Sequence, residues 1–233
     1  ASLSQFNDDF ETSGYPGSLY PNWPSASNPW PSTYNYDETV AGAQDNGFNP
    51  VTNASNIMAP GEGFWVWSGD TITGTQPFTF DITGPPNVGD INLPISYTNT
   101  GSADDGWNMT GNPYPSTMDW DSPNISKTNI NNAIHIWNPD NEQYASYSGG
   151  IGTNGGSRYI ASSQAFWVQA TAAGAAIQVT EASKSNTDAT FLKQNSNAPL
   201  RIKTENTYGT DELVINFDNN ASNSFDALYD AEK

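Results

Sequence analysis

Gly63-Phe64-Trp65-Val66-Trp67 and Ala165-Phe166-Trp167-Val168-Gln169 decide the fold. Both are short runs of aromatic and β-branched side chains, which suit a pleated surface better than a helix. In an extended chain Phe64 and Val66 face one way, and Trp65 and Trp67 the other. In the second run the alternate pair is Trp167 and Gln169. One face of each strand fills a core. If both faces are covered, the tryptophans are core as well.

The two runs are copies of one pattern. Residues 57–67 match residues 159–169 at a shift of 102, and Tyr36-Asp37 pairs with Trp137-Asn138 at a shift of 101. Pro77-Phe78-Thr79-Phe80-Asp81 resembles Ala176-Ile177-Gln178-Val179-Thr180. Each unit reads as strand, long Gly/Asn loop, aromatic strand, loop, strand. Two copies are too few for a solenoid. They suit two related sandwiches, or two halves of one.

Further strands are expected at residues 33–36, 78–82, 91–97 (interrupted by Pro94), 107–109, 133–137 and 143–147. Leu200-Arg201-Ile202-Lys203-Thr204 and Leu213-Val214-Ile215-Asn216-Phe217 alternate as a hairpin. Nothing sustains apolar residues at helical spacing over three turns. The first fifty residues are mostly loop signals, with Pro after Tyr15, Tyr20, Trp23, Asn28 and Trp30. The expected fold is all-β, with β-sandwich, jelly-roll-like units, long Asn/Gly/Pro-rich loops and little or no helix. Residues 1–100 form a diverged, loop-rich first repeat and 101–182 a second. Residues 183–198 read as a linker and 199–233 as the start of a further β module.

Composition agrees. Asn (28), Asp (17), Gly (20) and Pro (16) are over a third of the 233 residues, and these are turn formers. There are 8 Trp, 11 Tyr and 10 Phe, too many aromatics in strand patterns for a disordered chain. Lys and Arg number 7 against 25 Asp and Glu, a net charge of -18. All seven cations (Lys127, Arg158, Lys184, Lys193, Arg201, Lys203 and Lys233) follow position 126. A nucleic-acid partner is excluded, because phosphates are gripped by Lys and Arg. No phosphate-binding Gly-rich loop ending in Lys is present. Membrane insertion is excluded as well, since no apolar run approaches about 20 residues. With no cysteine there is neither a disulfide framework nor a thiolate metal site. No signal peptide is visible, and Ala1-Ser2-Leu3-Ser4-Gln5 reads as a processed or excised terminus.

Gly106-Trp107-Asn108-Met109-Thr110-Gly111-Asn112-Pro113-Tyr114-Pro115-Ser116-Thr117-Met118-Asp119-Trp120-Asp121 resembles a segment of large secreted surface proteins of Bacteroidetes. The order of the next elements is also similar: Ile134 to Asn138 with Tyr144, the Gly-rich 149–156, then Ile160 to Val168. The closing Phe225-Asp226-Ala227-Leu228-Tyr229-Asp230-Ala231-Glu232-Lys233 resembles another element of those proteins. The likeness covers about residues 100–233 well and 34–82 more weakly. It implies a cargo of the type IX secretion system, at the cell surface or outside the cell. Export would use a C-terminal sorting domain that these residues do not include. Activity is not implied, because such proteins include adhesins and enzymes with appended modules.

Candidate sites divide by chemistry. The single histidine, His135, would have to serve any Ser-His-Asp triad or His-based zinc site. A structural strand histidine is the favoured reading. Paired carboxylates hydrolyse glycosides, but Asp119 and Asp121 at i and i+2 of a strand sit too close to flank a sugar. Calcium wants six to eight hard oxygens. Its candidates are Asp104 with Asp105, Asp119 with Asp121, Asn138 with Asp140 and Asn141, and Asp218 with Asn219 and Asn220. None has the EF-hand spacing, and the competing reading is solvated acidic turns. Aromatics stack on sugars, and Trp23, Trp30, Tyr34 and Tyr36 are the freest candidates. Asp70-Thr71-Ile72 matches the short motif on which Bacteroidetes attach O-glycans, with Thr71 as acceptor.

The expected function is non-catalytic: a structural or adhesive module of a large bacterial surface or secreted protein. The alternatives are a carbohydrate-binding module and a glycoside hydrolase or its accessory domain. Partners would be glycans, other surface proteins and the type IX export machinery. No cofactor is expected beyond calcium. The missing cations carry one further expectation. A trypsin-like protease has no primary cleavage site before Lys127, which suits life among extracellular proteases.

Overall fold

Antiparallel strands carry the structure. The computed structural model describes residues 1–68, 80–139, 141–189, 200–206 and 209–215. In chain order the strands are β1 (Pro24–Ser25), β2 (Asn28–Pro29), β3 (Thr33–Tyr36), β4 (Phe48–Pro50), β5 (Trp65–Val66), β6 (Ile91–Asn92), β7 (Trp107–Gly111), β8 (Met118–Asp119) and β9 (Ser126–Thr128). They continue with β10 (Ile134–Asn138), β11 (Gln143–Ser148), β12 (Ile151–Thr153), β13 (Tyr159–Ile160), β14 (Ala165–Gln169), β15 (Ala176–Val179), β16 (Leu200–Asn206) and β17 (Gly209–Ile215). Helix among the described residues is limited to short 3-10 turns at Leu3–Asp8, Gln44–Gly47 and Glu181–Ser183. The fold is all-β.

The chain divides into two units, Ala1–Leu192 and Lys193–Lys233. In the second, β16 and β17 form a hairpin in which Leu200 faces Ile215 and Asn206 faces Gly209. In the first, the main sheets have strand orders β4-β3-β5, β12-β11-β10-β14-β7 and β6-β15-β9, with β8 paired to β13 and β1 to β2.

The matching stretches are built alike. β3 is flanked by β4 and β5, both antiparallel. β10 is flanked in the same way by β11 and β14. Before β5, Glu62 N–H donates to Ala59 O, with Gly61 at φ 79. Before β14, Gln164 N–H donates to Ala161 O, with Ser163 at φ 60. Both are turns with a left-handed third residue, where Gly fits freely and Ser is uncommon.

Two cores result. Leu3, Phe6, Phe10, Tyr15, Val51 and Ala54 form one, with Phe64 and Val66 packed on it. The larger is a sandwich. Ile134, Ile136, Tyr147, Phe166 and Val168 line one face of the five-stranded sheet. Ile177 and Val179 of β15, Met118 of β8 and Ile160 of β13 close it from the other side. Leu93 also belongs to this core, and β6 pairs with β15, so the second core draws in residues from before position 101. Ser183 is fully buried, and Ser185 N–H donates to Thr117 O, which lays the chain after β15 along the same body.

Two expected strands differ from the structure. Only Ile91–Asn92 of residues 91–97 is strand, with Leu93 N–H still donating to Ile177 O; beyond Pro94 the Ser96 and Thr98 N–H groups turn instead to Asn108 Oδ1 and Glu38 Oε1. Phe80, Asp81 and Ile82 lie outside any strand, while Phe78 and Thr79 are outside the described residues.

Candidate binding surface

Opposite the larger core, the five-stranded sheet presents a second aromatic face. Register places Met109, Trp167, His135, Trp137, Tyr144 and Ser146 on it. The first repeat supplies Tyr36, Phe48 and Trp65 in return. Tyr36 meets Trp167 at a ring separation of 4.6 Å, and Trp65 meets Trp137 at 5.7 Å. These contacts are reciprocal: the central strand of each copy touches the aromatic flanking strand of the other. Each copy also braces its own central ring, Tyr36 with Phe48 at 5.4 Å and Trp137 with Tyr144 at 5.2 Å. Phe48 further contacts Trp65 and Trp167. The geometry is that of an isologous dimer interface, written into one chain.

Close approach is made at Gly63. A Cβ there would stand 2.8 Å from Met109 Cγ and 2.9 Å from Met109 C. Gly61 O accepts from Gly111 N–H and from the Thr110 hydroxyl, at 2.9 and 2.6 Å. Glu38 adds a polar tie that no sequence motif marks. Its buried carboxylate accepts from Thr98 N–H at 2.6 Å, Gly106 N–H at 3.0 Å and the Ser96 and Thr98 hydroxyls. Burial, with Glu38, Asp104, Asp45 and Asp37 around it, pushes the Tyr36 phenol up to about 12.

The four sugar-stacking candidates therefore part company. Tyr34 and Tyr36 lie on β3, half-buried, and Tyr36 is spent on the seam. Trp23 and Trp30 stand at the base of the β1–β2 hairpin, where Pro24 faces Pro29 and Ser25 faces Asn28. Trp30 N–H donates to Trp23 O at 2.7 Å. The rings are 6.3 Å apart and inclined at 48°, and Trp30 is 54% exposed. Trp67, at 55% exposure, donates its N–H to Ser32 O, two residues from Trp30.

The acidic candidates hold protein groups. Asp119 takes the Arg158 guanidinium in a two-pronged ion pair, Nε to Oδ1 at 2.6 Å and Nη2 to Oδ2 at 2.5 Å. Despite partial burial, that pair and the Asp121 N–H hold its carboxyl below the usual range. Asp121 accepts from the Tyr147 hydroxyl and lies 3.8 Å from Arg158. Trp120 between them is fully buried and donates its indole N–H to Asn132 O. Asp105 caps a loop, accepting from the Thr100 hydroxyl and from the N–H groups of Thr100, Gly101 and Ser102, and these bonds lower its pKa. Asp104 is exposed beside it. Asn138 is buried, whereas Asp140, Asp218 and Thr71 lie outside the described residues. Among the described residues no three His, Asp or Glu side chains converge on a metal-sized space.

His135 bonds through Nδ1 to the Ser146 hydroxyl at 2.7 Å and packs on Trp107. Burial holds its pKa below 6.5. A hollow of about 300 Å³ is lined by Ser4, Gln5, Asn7, Asp8, Asp81 and Thr83. Next to it Asp9 accepts from Asp81 N–H, and burial raises its pKa. The three cations whose side chains are described are equally committed. Lys127 donates to Trp120 O and Asn132 Oδ1 with its ammonium 3.8 Å from the Trp120 ring centre. Arg158 lies over Tyr159, and Lys184 pairs with Glu181 over Tyr114.

A family model described as a domain of unknown function, DUF8693, matches residues 22–233. No curated protein and no solved structure matches the chain.

Proposed function

The chain belongs to the DUF8693 family, and for it we propose a non-catalytic role as a stiff structural or adhesive module of a larger bacterial surface or secreted protein. The observation that carries this is the reciprocal aromatic seam. Two copies that grip each other through Tyr36–Trp167 and Trp65–Trp137 form one packed body instead of two beads on a hinge. The groups best suited to chemistry support the same role. Asp119, Asp121 and His135 are each engaged with a neighbouring side chain, Arg158, Tyr147 and Ser146. A net charge of -18 keeps such a module soluble in a crowded exterior.

Limited proteolysis tests the stiffness. In the folded chain, trypsin should spare the bonds after Lys127 and Arg158, whose side chains are held against Trp120 and Asp119. Denatured protein should be cut there at once. Rapid cleavage at either bond under native conditions would count against a stiff, protease-resistant body.

A further inference from the structure

Building on the adhesive-module role, we propose that the Trp23/Trp30 hairpin is its contact point and that it takes a single uncharged glycan chain. Trp30 is exposed and Trp23 half-buried beside it, and apolar surface gathered into a patch with a polar rim marks an interaction site. This pair is also pre-organised. Trp30 is fixed by its N–H to Trp23 O, and its own carbonyl accepts from the Ser13 hydroxyl at 2.8 Å. Gly14 lets the backbones meet, since a Cβ there would stand 2.2 Å from Trp30 C. These ties hold the backbone that carries the two rings, so binding has only the indole side chains to order.

Charge selects the occupant. Residues 12–36 contain no Asp, Glu, Lys, Arg or His, in a chain whose net charge is -18. A cationic partner would be drawn to the acidic loops elsewhere, and an anionic polymer would be repelled by the body behind the hairpin. A neutral sugar meets neither penalty. Its C–H faces stack on indole, and its hydroxyls find Ser25, Ser27 and Asn28 on the exposed hairpin. The 48° inclination selects further. A flat crystalline face needs coplanar rings, whereas inclined rings embrace a free chain. Trp67 is a further exposed indole, whose backbone N–H donates to Ser32 O.

Affinity electrophoresis of the full chain decides it. The gels would carry soluble xylan, galactomannan or mixed-linkage glucan, with polygalacturonate as the acidic comparison and crystalline cellulose in a pelleting assay. At least one neutral polymer should retard the protein, and about 1 M salt, where the screening length is about 3 Å, should not release it. Trp30→Ala should weaken the affinity about tenfold or more at an unchanged thermal midpoint. Free migration in every neutral gel would overturn the proposal. So would retention only by polygalacturonate or crystalline cellulose, or retardation that Trp30→Ala leaves intact. A dimer in sedimentation that Trp30→Ala dissolves would assign the hairpin to a second copy instead. None of these outcomes alters the trypsin resistance of the module, so the two proposals fail separately.

Discussion

At the residue scale the molecule depends on a few side chains that reach far along the chain. Asn112 donates its amide to Ser116 O, Ile160 O and Ala161 O and accepts from Tyr114 N–H. The sequence marks this segment as a motif, but the partners at Ile160 and Ala161 are set by the fold, so the role itself was not legible. Gly63 is a sharper case. Its second-repeat counterpart is Ala165, so nothing in the pattern required Gly at 63. The requirement comes from Met109 across the seam. Gly63→Ala should destabilise by about 1–3 kcal/mol, measured by urea unfolding. The phenols give a pH test. Tyr36 and Tyr114 are both pushed up to about 12, chiefly by burial. The folded state keeps their protons after the unfolded state has lost them near pH 10, so stability should fall as pH rises from 10 to 12. Phenolate absorbance should show these two titrating last, with Tyr34, Tyr144 and Tyr147 also held above the ordinary phenol value. Titration of all tyrosines together near pH 10 in folded protein would contradict their burial. His135 has the opposite window. Its neutral form is favoured by burial, so its contribution is complete above pH 6.5 and is lost on acidification.

At the element scale, alternation was the legible signal. Phe64 and Val66 pack on the smaller core and Phe166 and Val168 on the larger, as their spacing requires. Trp65 and Trp167 face away from those cores, into the seam. A sequence cannot say whether an outward tryptophan meets solvent or a second sheet. One echo emerges only from the structure: Thr12-Ser13-Gly14-Tyr15-Pro16 against Thr110-Gly111-Asn112-Pro113-Tyr114-Pro115. Both tyrosines are buried, with Ser18 donating to Tyr15 O and Ser162 to Tyr114 O. The extra residue in the second version and the absence of a strand in the first hide the match. Double-mutant cycles test the reciprocity. Tyr36→Leu with Trp167→Leu, and Trp65→Leu with Trp137→Leu, should each show about 0.5–1.5 kcal/mol of coupling in equilibrium unfolding. Coupling in one pair alone would mean that the seam is one-sided.

At the scale of the whole molecule, the charge asymmetry takes on a structural meaning. The cations Lys127, Arg158 and Lys184 each lie over an aromatic ring and against an oxygen partner, so within the first unit they serve as internal fasteners. The acidic groups seen in the sequence as calcium candidates do comparable work, Asp105 as a loop cap and Asp119 and Asp121 as holders of Arg158 and Tyr147. Composition showed the imbalance but not its use, because ion pairs across 39 residues of chain leave no local pattern. The central claim is that the seam makes both repeats one cooperative body. Native-state hydrogen exchange measures that directly, on the amides of β3 and β10 as urea is raised. The account predicts the same opening free energy and the same urea slope for both strands, since they are released in one event. Exchange of β3 at a markedly lower free energy and with a shallow slope would show the first repeat opening alone, and would contradict it.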